Sequence, residues 1–337
     1  MNKQEENVLS AMFREMKKSP ALYKPSTFWD VLNEMHLEYL SKDGFDNFKR
    51  TINNKYFNWG ILGIIVHQLS PIFKELLRGN VAPLIDSKFE DAKKLNYFEV
   101  LTYRIYLASL FEYISQHDSL KILDSIEEPL IGNPFVVKYK GKLISQDLCN
   151  SVYEFYSITQ NLHLSRKVKV AELGAGYGRV GYVILKTLPD STYCVIDIPP
   201  ALFIAQNYLS KVFIKEKIFK FRPFTLFKKV KKEFESSRIQ FLLPHQIELL
   251  PKDYFDLFIN ISSLHEMTRE QIRNYIKQID RLCKGYFYTK QWRKSRTKDN
   301  AFIKENEYPI PRSWKVIDKR NRHPIQNMFF DTLYKIR

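Results

Sequence analysis

The spacing of apolar residues divides this 337-residue chain into a helical part and a part that alternates strands with helices. Up to about residue 128, apolar and aromatic side chains recur every three or four positions, as in segments 28–42 and 96–117. This period predicts amphipathic helices. Segment 58–70 is the most apolar, but it is short and contains a His and a Gln, so we expect a buried helix. Residues 1–128 are therefore predicted to be a mainly helical N-terminal region.

Turn-forming residues mark a change of character after this region. The stretch "FVVKYKGKLI" predicts a short hairpin that turns at Lys140 and Gly141. Ser145 is the expected N-cap of the helix that follows, with Asp147 in its first turn. We expect residues 129–165 to form a hairpin and a helix that lead into the core.

From residue 166 to residue 337 the pattern changes to short apolar runs that alternate with helices. The predicted strands are "KVKVAEL", "TYCVIDI", "RIQFLLP", "YFDLFINISS" and "GYFYTKQW". Repeated strand–helix units predict a parallel sheet with both faces covered. The last two strands, "SWKVIDKR" and "MFFDTLYKIR", leave no room for a helix between them. They are expected to form an antiparallel pair at one edge of the sheet.

Charge and composition say more about the cellular compartment of the protein than about its binding partner. The net charge is +16, with basic clusters at 211–232 and 290–298. These clusters suit nucleic acid, an anionic membrane surface or an acidic glycan, but a solvated lysine-rich surface explains them equally well. The chain has no 18-residue apolar run and no signal-peptide pattern, and its three cysteines are far apart. We expect a cytoplasmic protein without a membrane span. Peripheral membrane contact and the oligomeric state stay open.

The stretch "AELGAGYGRVGY" predicts a nucleotide-type cofactor, but its glycines fit two registers. Glycines between a strand and a helix let backbone N–H groups approach a ligand. A dinucleotide motif counted from Gly174 would need its third glycine at Arg179. Counted from Gly176 through Gly178 to Gly181, the letters fit, but the motif begins two residues too late. A nicotinamide cofactor would therefore require a displaced turn.

In the other register, Glu172 followed by Gly174, Gly176 and Gly178 resembles the first motif of class I S-adenosylmethionine-dependent methyltransferases. The resemblance implies that the glycine turn passes under the amino-acid end of S-adenosylmethionine. It also implies that Asp197, at the end of the second strand, takes both ribose hydroxyls, since a carboxylate can accept from two donors. The antiparallel C-terminal pair matches the methyltransferase sheet too. The fold class implied is an α/β Rossmann-like class I methyltransferase domain.

Further site residues follow from this resemblance by their place in the sheet. After the third strand, either His245 or Gln246 would contact the adenine, unless both lie in a surface loop. After the fourth strand, Asn260 would lie beside the cofactor. His265 is the predicted base that takes a proton from a hydroxyl acceptor, with Glu266 as its partner or as a substrate ligand. The alternative for His265 is a helix cap or passive packing.

From about Gly132 to the end of the chain, the sequence resembles a more specific family. The stretches "GNPFVVKYKGKLISQDLCNSVYEFYSI", "FDLFINISSLHEM" and "GYFYTKQW" are similar to a bacterial sugar O-methyltransferase family. That similarity implies a sugar or glycan precursor as acceptor, in the biosynthesis of a surface polysaccharide. Gln146, Asn150 and Tyr153 lie close to one face of the helix before the glycine motif, which would act as a lid.

Two more positions are predicted near the substrate. Arg179 would lie at the rim of the pocket. Lys290 and Gln291 point to opposite sides of a strand, so at most one of them faces the pocket, and Gln291 is the predicted substrate residue.

Other chemistries have weaker support in the sequence. Amino-directed nucleic-acid methyltransferases carry an Asp/Asn/Ser-Pro-Pro-aromatic motif after the fourth strand, where this chain has "FINISS". Nucleic acid is thus the alternative partner, motivated by charge alone. A nicotinamide enzyme or a non-catalytic binding module on the same sheet is a third alternative. No carboxylate pair at metal spacing follows the fourth strand, and we predict no metal.

Overall fold

The computed structural model describes residues 1–50, 72, 88–89, 97–162, 167–296 and 302–337. The helix predicted at 58–70 and the end of the basic cluster at 290–298 lie outside the described residues. Within the described ranges, no helix combines the length and apolarity that crossing a bilayer requires.

The described residues of the N-terminal part are mainly helical, as predicted. The structure gives α1 (Lys3–Lys18), α2 (Thr27–Asp43), α3 (Tyr97–Ser115) and the short α4 (Ile122–Ser125). A capping box begins α1, where the Asn2 side chain accepts a hydrogen bond from the Glu5 backbone N–H at 2.9 Å. The helices expected at 28–42 and 96–117 are confirmed.

The predicted hairpin is also confirmed. Strands β2 (Val137–Tyr139) and β3 (Lys142–Ile144) pair antiparallel, and β1 (Lys88–Phe89) adds a third strand beside β2. Lys140 and Gly141 have φ angles of 49° and 77°, the positive values that a two-residue hairpin turn requires. Helix α5 (Gln146–Thr159) follows, and the Ser145 side chain caps it by accepting from the Leu148 N–H at 3.0 Å.

The main sheet has eight strands in the order β12-β13-β9-β8-β4-β5-β7-β6. Strand β13 runs antiparallel to both of its neighbours, and the other pairs are parallel. This order confirms the predicted Rossmann-like class I methyltransferase sheet with an antiparallel C-terminal edge pair. The strands are β4 (Lys169–Leu173), β5 (Thr192–Ile196), β6 (Ile218–Phe219), β7 (Ile239–Leu242), β8 (Phe255–Ile261), β9 (Cys283–Trp292), β12 (Lys315–Arg320) and β13 (Phe329–Lys335).

Helices connect these strands and cover the sheet, whose central strands are buried along nearly their whole length. The connecting helices are α6 (Arg179–Thr187), α7 (Ala201–Val212), α8 (Phe227–Ser236) and α9 (Arg269–Leu282). Thr268 caps α9 with its side chain. A small separate antiparallel pair, β10 (Lys294–Arg296) with β11 (Phe302–Lys304), follows β9.

Two elements were missed within the basic cluster at 211–232. They are β6, which is only two residues long, and α8, which buries Val230 and Phe234 under a surface of lysines. The many lysines favoured an interpretation by charge alone. Val230 and Phe234, spaced by about one helical turn, nevertheless predict a packed helix.

The N-terminal part contacts the ends of the main sheet. The Tyr23 hydroxyl donates to Glu248 Oε1 at 2.6 Å, and the Gln271 side chain donates to the Lys24 carbonyl at 2.8 Å. The Tyr23 and Tyr275 rings also meet edge to face at 5.7 Å. These contacts hold the 3-10 turn Ala21–Tyr23 and the start of α2 close to the carboxyl ends of the strands. The domain limits at 128 and 165 stay predictions.

Candidate active site

A cavity of about 320 Å³ lies at the carboxyl ends of the parallel strands. Ligands of open α/β sheets bind at this edge, where helices on the two faces diverge. Its lining comes from the glycine turn after β4, the ends of β5, β8 and β9, one face of α5, and the N-terminal segment at Tyr23–Trp29. The predicted site residues can therefore be placed against one cavity.

The glycine turn after β4 follows the Gly174 register. Gly174, Gly176 and Gly178 all have positive φ angles, of 70°, 60° and 87°, which glycine adopts without strain. A Cβ at Gly174 would overlap the Ser263 hydroxyl. Gly181 instead lies within α6, where an added Cβ would be 2.6 Å from Tyr193 Cε1. Gly181 is thus a close-packing position and not part of the turn.

Asp197 is fixed beside this turn by backbone groups. Its Oδ2 accepts from the Gly176 N–H at 2.8 Å, and its Oδ1 accepts from the Ile198 N–H at 2.7 Å. Burial raises the pKa of Asp197 to about 7, although these two N–H groups act to lower it. The carboxyl therefore changes its charge near neutral pH.

Glu172 lies in β4 just before the turn and also lines the cavity. It accepts a hydrogen bond from the Tyr193 hydroxyl on β5. Burial raises its pKa to about 8, against the lowering effect of Tyr193 and Arg179. Glu172 is thus largely neutral at pH 7, unlike an exposed glutamate.

A buried group of charges forms another part of the lining. Glu154 on α5 pairs with both Arg179 on α6 and Lys290 on β9, and the Lys290 Nζ–Glu154 Oε1 distance is 2.9 Å. Arg179 also donates to the Ser151 hydroxyl at 2.9 Å. Burial acts to raise the pKa of Glu154, but the two cations outweigh it and lower the pKa to about 2. This charge cluster, Arg179–Glu154–Lys290, ties three elements together at the cavity.

His265 enters the cavity from a 3-10 turn, Leu264–Glu266, that follows β8. Its Nδ1 is 2.9 Å from Gln291 Oε1, and its Nε2 is 3.7 Å from Glu266 Oε1. The Trp292 ring lies beside the imidazole, with centroids 5.8 Å apart. A histidine with one nitrogen anchored and a carboxylate near the other is suited to proton transfer.

Several predicted residues line the cavity with the glycine turn. They are Gln146, Glu172, Arg179, Asp197, His265 and Glu266. On β9, Lys290 rather than Gln291 faces the cavity, so the predicted substrate role of Gln291 is not supported. Gln291 is fully buried and bonds to Asn260 and His265 instead. Asn260 is also fully buried, so it lies beneath the cavity surface and not in contact with it.

Other predicted residues lie away from the lining. His245 is half-buried, and its neighbour Pro244 lines the cavity instead. Gln246 is committed to backbone partners, since its Oε1 accepts from the Leu243 N–H and its Nε2 donates to the Arg222 carbonyl. Tyr153 points to a different cluster, where its hydroxyl accepts from Arg320 at 3.2 Å. The geometry therefore does not support an adenine contact by His245 or Gln246, or a substrate contact by Tyr153.

Sequence reasoning missed the N-terminal contribution to the cavity. Tyr23, Lys24, Pro25, Ser26 and Trp29 all line it, more than a hundred residues before the glycine motif. Segment 20–29 contains two prolines and three large aromatics, which indicates a turn that buries rings, but nothing local shows what the turn covers. Glu154 was also missed, because its partners belong to distant elements.

Among the residues that the structure describes, no group of three or more His, Cys, Asp or Glu side chains has an arrangement that would hold a metal ion.

No family model and no curated protein matches this chain. Among solved structures, it is similar to the PH0226 protein from Pyrococcus horikoshii OT3 (13% identity, TM-score 0.38, covering 57% of this chain and 92% of that one). It is also similar to 1,6-didemethyltoxoflavin-N1-methyltransferase from Burkholderia thailandensis, solved with 1,6-didemethyltoxoflavin and S-adenosylhomocysteine bound (12%, 0.36, 67% and 86%).

A third similar structure is a candidate sarcosine dimethylglycine methyltransferase from Galdieria sulphuraria (13% identity, TM-score 0.33, covering 44% of this chain). The chain spans about half the length of this protein and of the YcgJ protein from Bacillus subtilis, 47% and 50%. Identities and TM-scores this low leave the activity of the present chain to be inferred from its own residues.

Proposed function

We propose that this protein is an S-adenosylmethionine-dependent O-methyltransferase that acts on a sugar hydroxyl of a glycan precursor. One observation carries the proposal. The Asp197 carboxylate, bonded to the Gly176 N–H of the glycine turn, and the anchored imidazole of His265 line the same cavity. One cavity thus contains an acid that can bind the ribose of the cofactor and a base that can act on the acceptor.

The residues present fit S-adenosylmethionine. Positive φ angles and the tight contact with Ser263 make the turn at Gly174 a cradle that a side chain would fill. Asp197 is the residue to accept from the ribose hydroxyls. Asn150 on α5 is buried and lines the cavity, and its Oδ1 has no hydrogen-bond partner among the residues that the structure describes. An orphaned buried acceptor is costly, and the ammonium group of the cofactor's amino-acid end would satisfy it.

When bound, S-adenosylmethionine supplies a sulfonium methyl group that is already activated for transfer. The protein's task is therefore to align an acceptor and to remove its proton. His265 takes that proton at Nε2, since its Nδ1 is anchored by Gln291. Glu266, with its carboxylate 3.7 Å from Nε2, stabilises the imidazolium that forms.

The surroundings of His265 support a sugar as acceptor. Trp292 and Phe329 both line the cavity, with ring centroids 5.8 Å apart, and Trp292 is also next to the imidazole. Aromatic faces suit the CH surface of a sugar ring. Polar groups of Glu154, Lys290 and Gln326 border the same space, where they can hydrogen-bond to hydroxyls.

The strongest basic cluster lies elsewhere. Lysines 228, 229, 231 and 232 of α8 are exposed and take no part in the cavity lining. Their charge therefore concerns the surface of the protein and does not identify the group that is methylated.

Calorimetry with S-adenosylhomocysteine and with NAD tests the cofactor. We expect micromolar binding of the former and none of NAD, and the reverse result would remove the methyltransferase proposal. Transfer of labelled methyl groups to a panel of nucleotide-sugars, with RNA as the comparison, then tests the acceptor. Label in RNA alone would refute the sugar proposal while leaving the cofactor in place.

A further inference from the structure

The hydrogen bonds of Asn260 are fixed by two backbone groups whose roles cannot be exchanged. The Leu264 N–H can only donate, so the Asn260 atom 3.1 Å from it is the oxygen Oδ1. The Leu173 carbonyl can only accept, so the Asn260 atom 2.8 Å from it is the nitrogen Nδ2. The orientation of this buried side-chain amide is therefore set at both ends.

Asn260 in turn fixes the amide of Gln291. Because Asn260 Oδ1 is an acceptor, the Gln291 atom 2.6 Å away must be the donor Nε2. The same nitrogen is 3.0 Å from Thr289 Oγ1 and 3.3 Å from the Asn260 carbonyl. Gln291 Oε1 is thus turned towards His265. Both amides are fully buried, so water does not compete for these bonds.

Gln291 Oε1 then determines where the imidazole carries its hydrogen. It accepts from the His265 backbone N–H at 3.3 Å and lies 2.9 Å from Nδ1. An amide oxygen only accepts, so Nδ1 carries the hydrogen, and in the neutral ring the lone pair belongs to Nε2. The geometry points to Gln291 and Asn260 as positioning residues that hold His265 in the Nδ1–H tautomer, ready to take a proton at Nε2. This inference rests on the proposed function only in one respect, that Nε2 takes its proton from the methyl acceptor.

Nuclear magnetic resonance of the imidazole nitrogens tests the tautomer without any activity. The chain has seven histidines, and the signal of His265 is the one lost in the His265→Ala variant. Above the pKa of the ring, we expect a protonated Nδ1 and a bare Nε2 in the native protein. A hydrogen on Nε2 would overturn the inference, whether or not the protein proves to be a methyltransferase.

The Gln291→Met variant tests the consequence for turnover. Methionine has a similar length but cannot accept the Nδ1 hydrogen, so the two tautomers should mix and kcat should fall about 10–100-fold. KM for the acceptor and affinity for S-adenosylhomocysteine should change less than about threefold, because Gln291 does not line the cavity. Unchanged kcat and an unchanged tautomer would reject the positioning role.

Two further variants separate positioning from general stability. Gln291→Glu keeps an oxygen facing Nδ1 but loses the donor to Asn260 Oδ1. It should lower stability, yet restore the Nδ1–H tautomer and move the acidic limb of the pH–rate profile to higher pH. Gln240→Met is the matched control, because Gln240 is also a buried strand amide, donating to the Phe234 and Ser237 carbonyls away from the cavity. It should alter thermal stability but neither the tautomer nor the pH profile. Failure of all methyl transfer in the native protein would count against the proposed function alone.

Discussion

One wall of the cavity is held by the chain's own backbone, whereas another is held by side chains that fix one another. The backbone wall consists of the turn Gly174–Gly178 and Asp197. Its Gly174 N–H donates to the Ile196 carbonyl at 2.8 Å, and its Gly176 N–H donates to Asp197. The side-chain wall is His265, held from behind by the buried amides of Gln291 and Asn260, which do not line the cavity themselves.

The two walls respond to change in different ways. The backbone wall keeps its shape as long as the positive φ angles are allowed, so only a change in chain conformation disturbs it. In the side-chain wall, the loss of a single amide oxygen frees the imidazole. We therefore expect substitutions in the backbone wall to alter cofactor binding, and substitutions in the side-chain wall to alter turnover.

The largest effect is expected at the side-chain wall itself. His265→Ala removes the proposed base, so kcat should fall by about 100- to 10,000-fold. Calorimetry should show almost unchanged affinity for S-adenosylhomocysteine, since the ring belongs to the acceptor side. Full activity in this variant would exclude His265 as the base. Loss of cofactor binding together with activity would mean that the two walls are not separable.

The second effect concerns the charge cluster, which connects the two walls. Glu154→Gln leaves Arg179 and Lys290 buried together without their shared carboxylate. We expect the free energy of unfolding to fall by about 3–5 kcal/mol, as measured by denaturant titration. Glu233→Gln is the matched control, because Glu233 pairs with Arg222 at an exposed site, where the loss should stay below about 1 kcal/mol. Equal effects in the two variants would show that the cluster is no more than a surface pair.

The parts of the site differ in how far they could be predicted from the sequence. The glycine spacing and Asp197 were predictable, because their geometry depends on neighbours along the chain and on the carboxyl ends of adjacent strands. The alternation of strands and helices likewise predicted the sheet and its antiparallel edge pair.

The side-chain wall and the charge cluster were not predictable in the same way. Glu154 and Lys290 lie in elements separated by 136 positions, and no local pattern joins them. The period of β9 showed that Lys290 and Gln291 face opposite sides, but not which side held the cavity. Choosing Gln291 for the substrate failed because an amide suits a buried network as well as a sugar. Trp29 was missed because most of the cavity lining it belongs to lies more than a hundred positions further along the chain.

A third prediction tests the backbone wall with a single added carbon atom. Gly174→Ala must adopt a φ of 70° and overlap Ser263, a strain of about 1–3 kcal/mol. Affinity for S-adenosylhomocysteine should fall by about 10–100-fold. Gly181→Ala is the matched control, because its methyl group meets Tyr193 within the fold. That variant should lose about 1–3 kcal/mol of stability and bind the ligand normally once folded, and equal binding by both variants would contradict the Gly174 register.

The smallest effect separates the two walls by pH. Burial raises the pKa of Asp197 to about 7, so the carboxyl is mostly protonated at pH 6 and mostly ionised at pH 8. Only the ionised form accepts from both ribose hydroxyls. Affinity should therefore rise with pH, by about tenfold between pH 6 and pH 8, which is the change in the ionised fraction of such a group. Methylthioadenosine is the suitable ligand, because it has the ribose but no amino-acid group that titrates in this range.

Two variants assign this pH dependence to one carboxyl. Asp197→Asn should bind methylthioadenosine weakly and with no slope, since an amide does not titrate. Glu172→Gln should keep the slope, although burial raises the pKa of Glu172 to about 8, because Glu172 bonds to Tyr193 and not to the turn. A slope that disappears in Glu172→Gln but persists in Asp197→Asn would move the ribose contact from Asp197 to Glu172. The backbone wall would then act through the strand that precedes its glycines, and the Gly176–Asp197 bond would serve only to shape the turn.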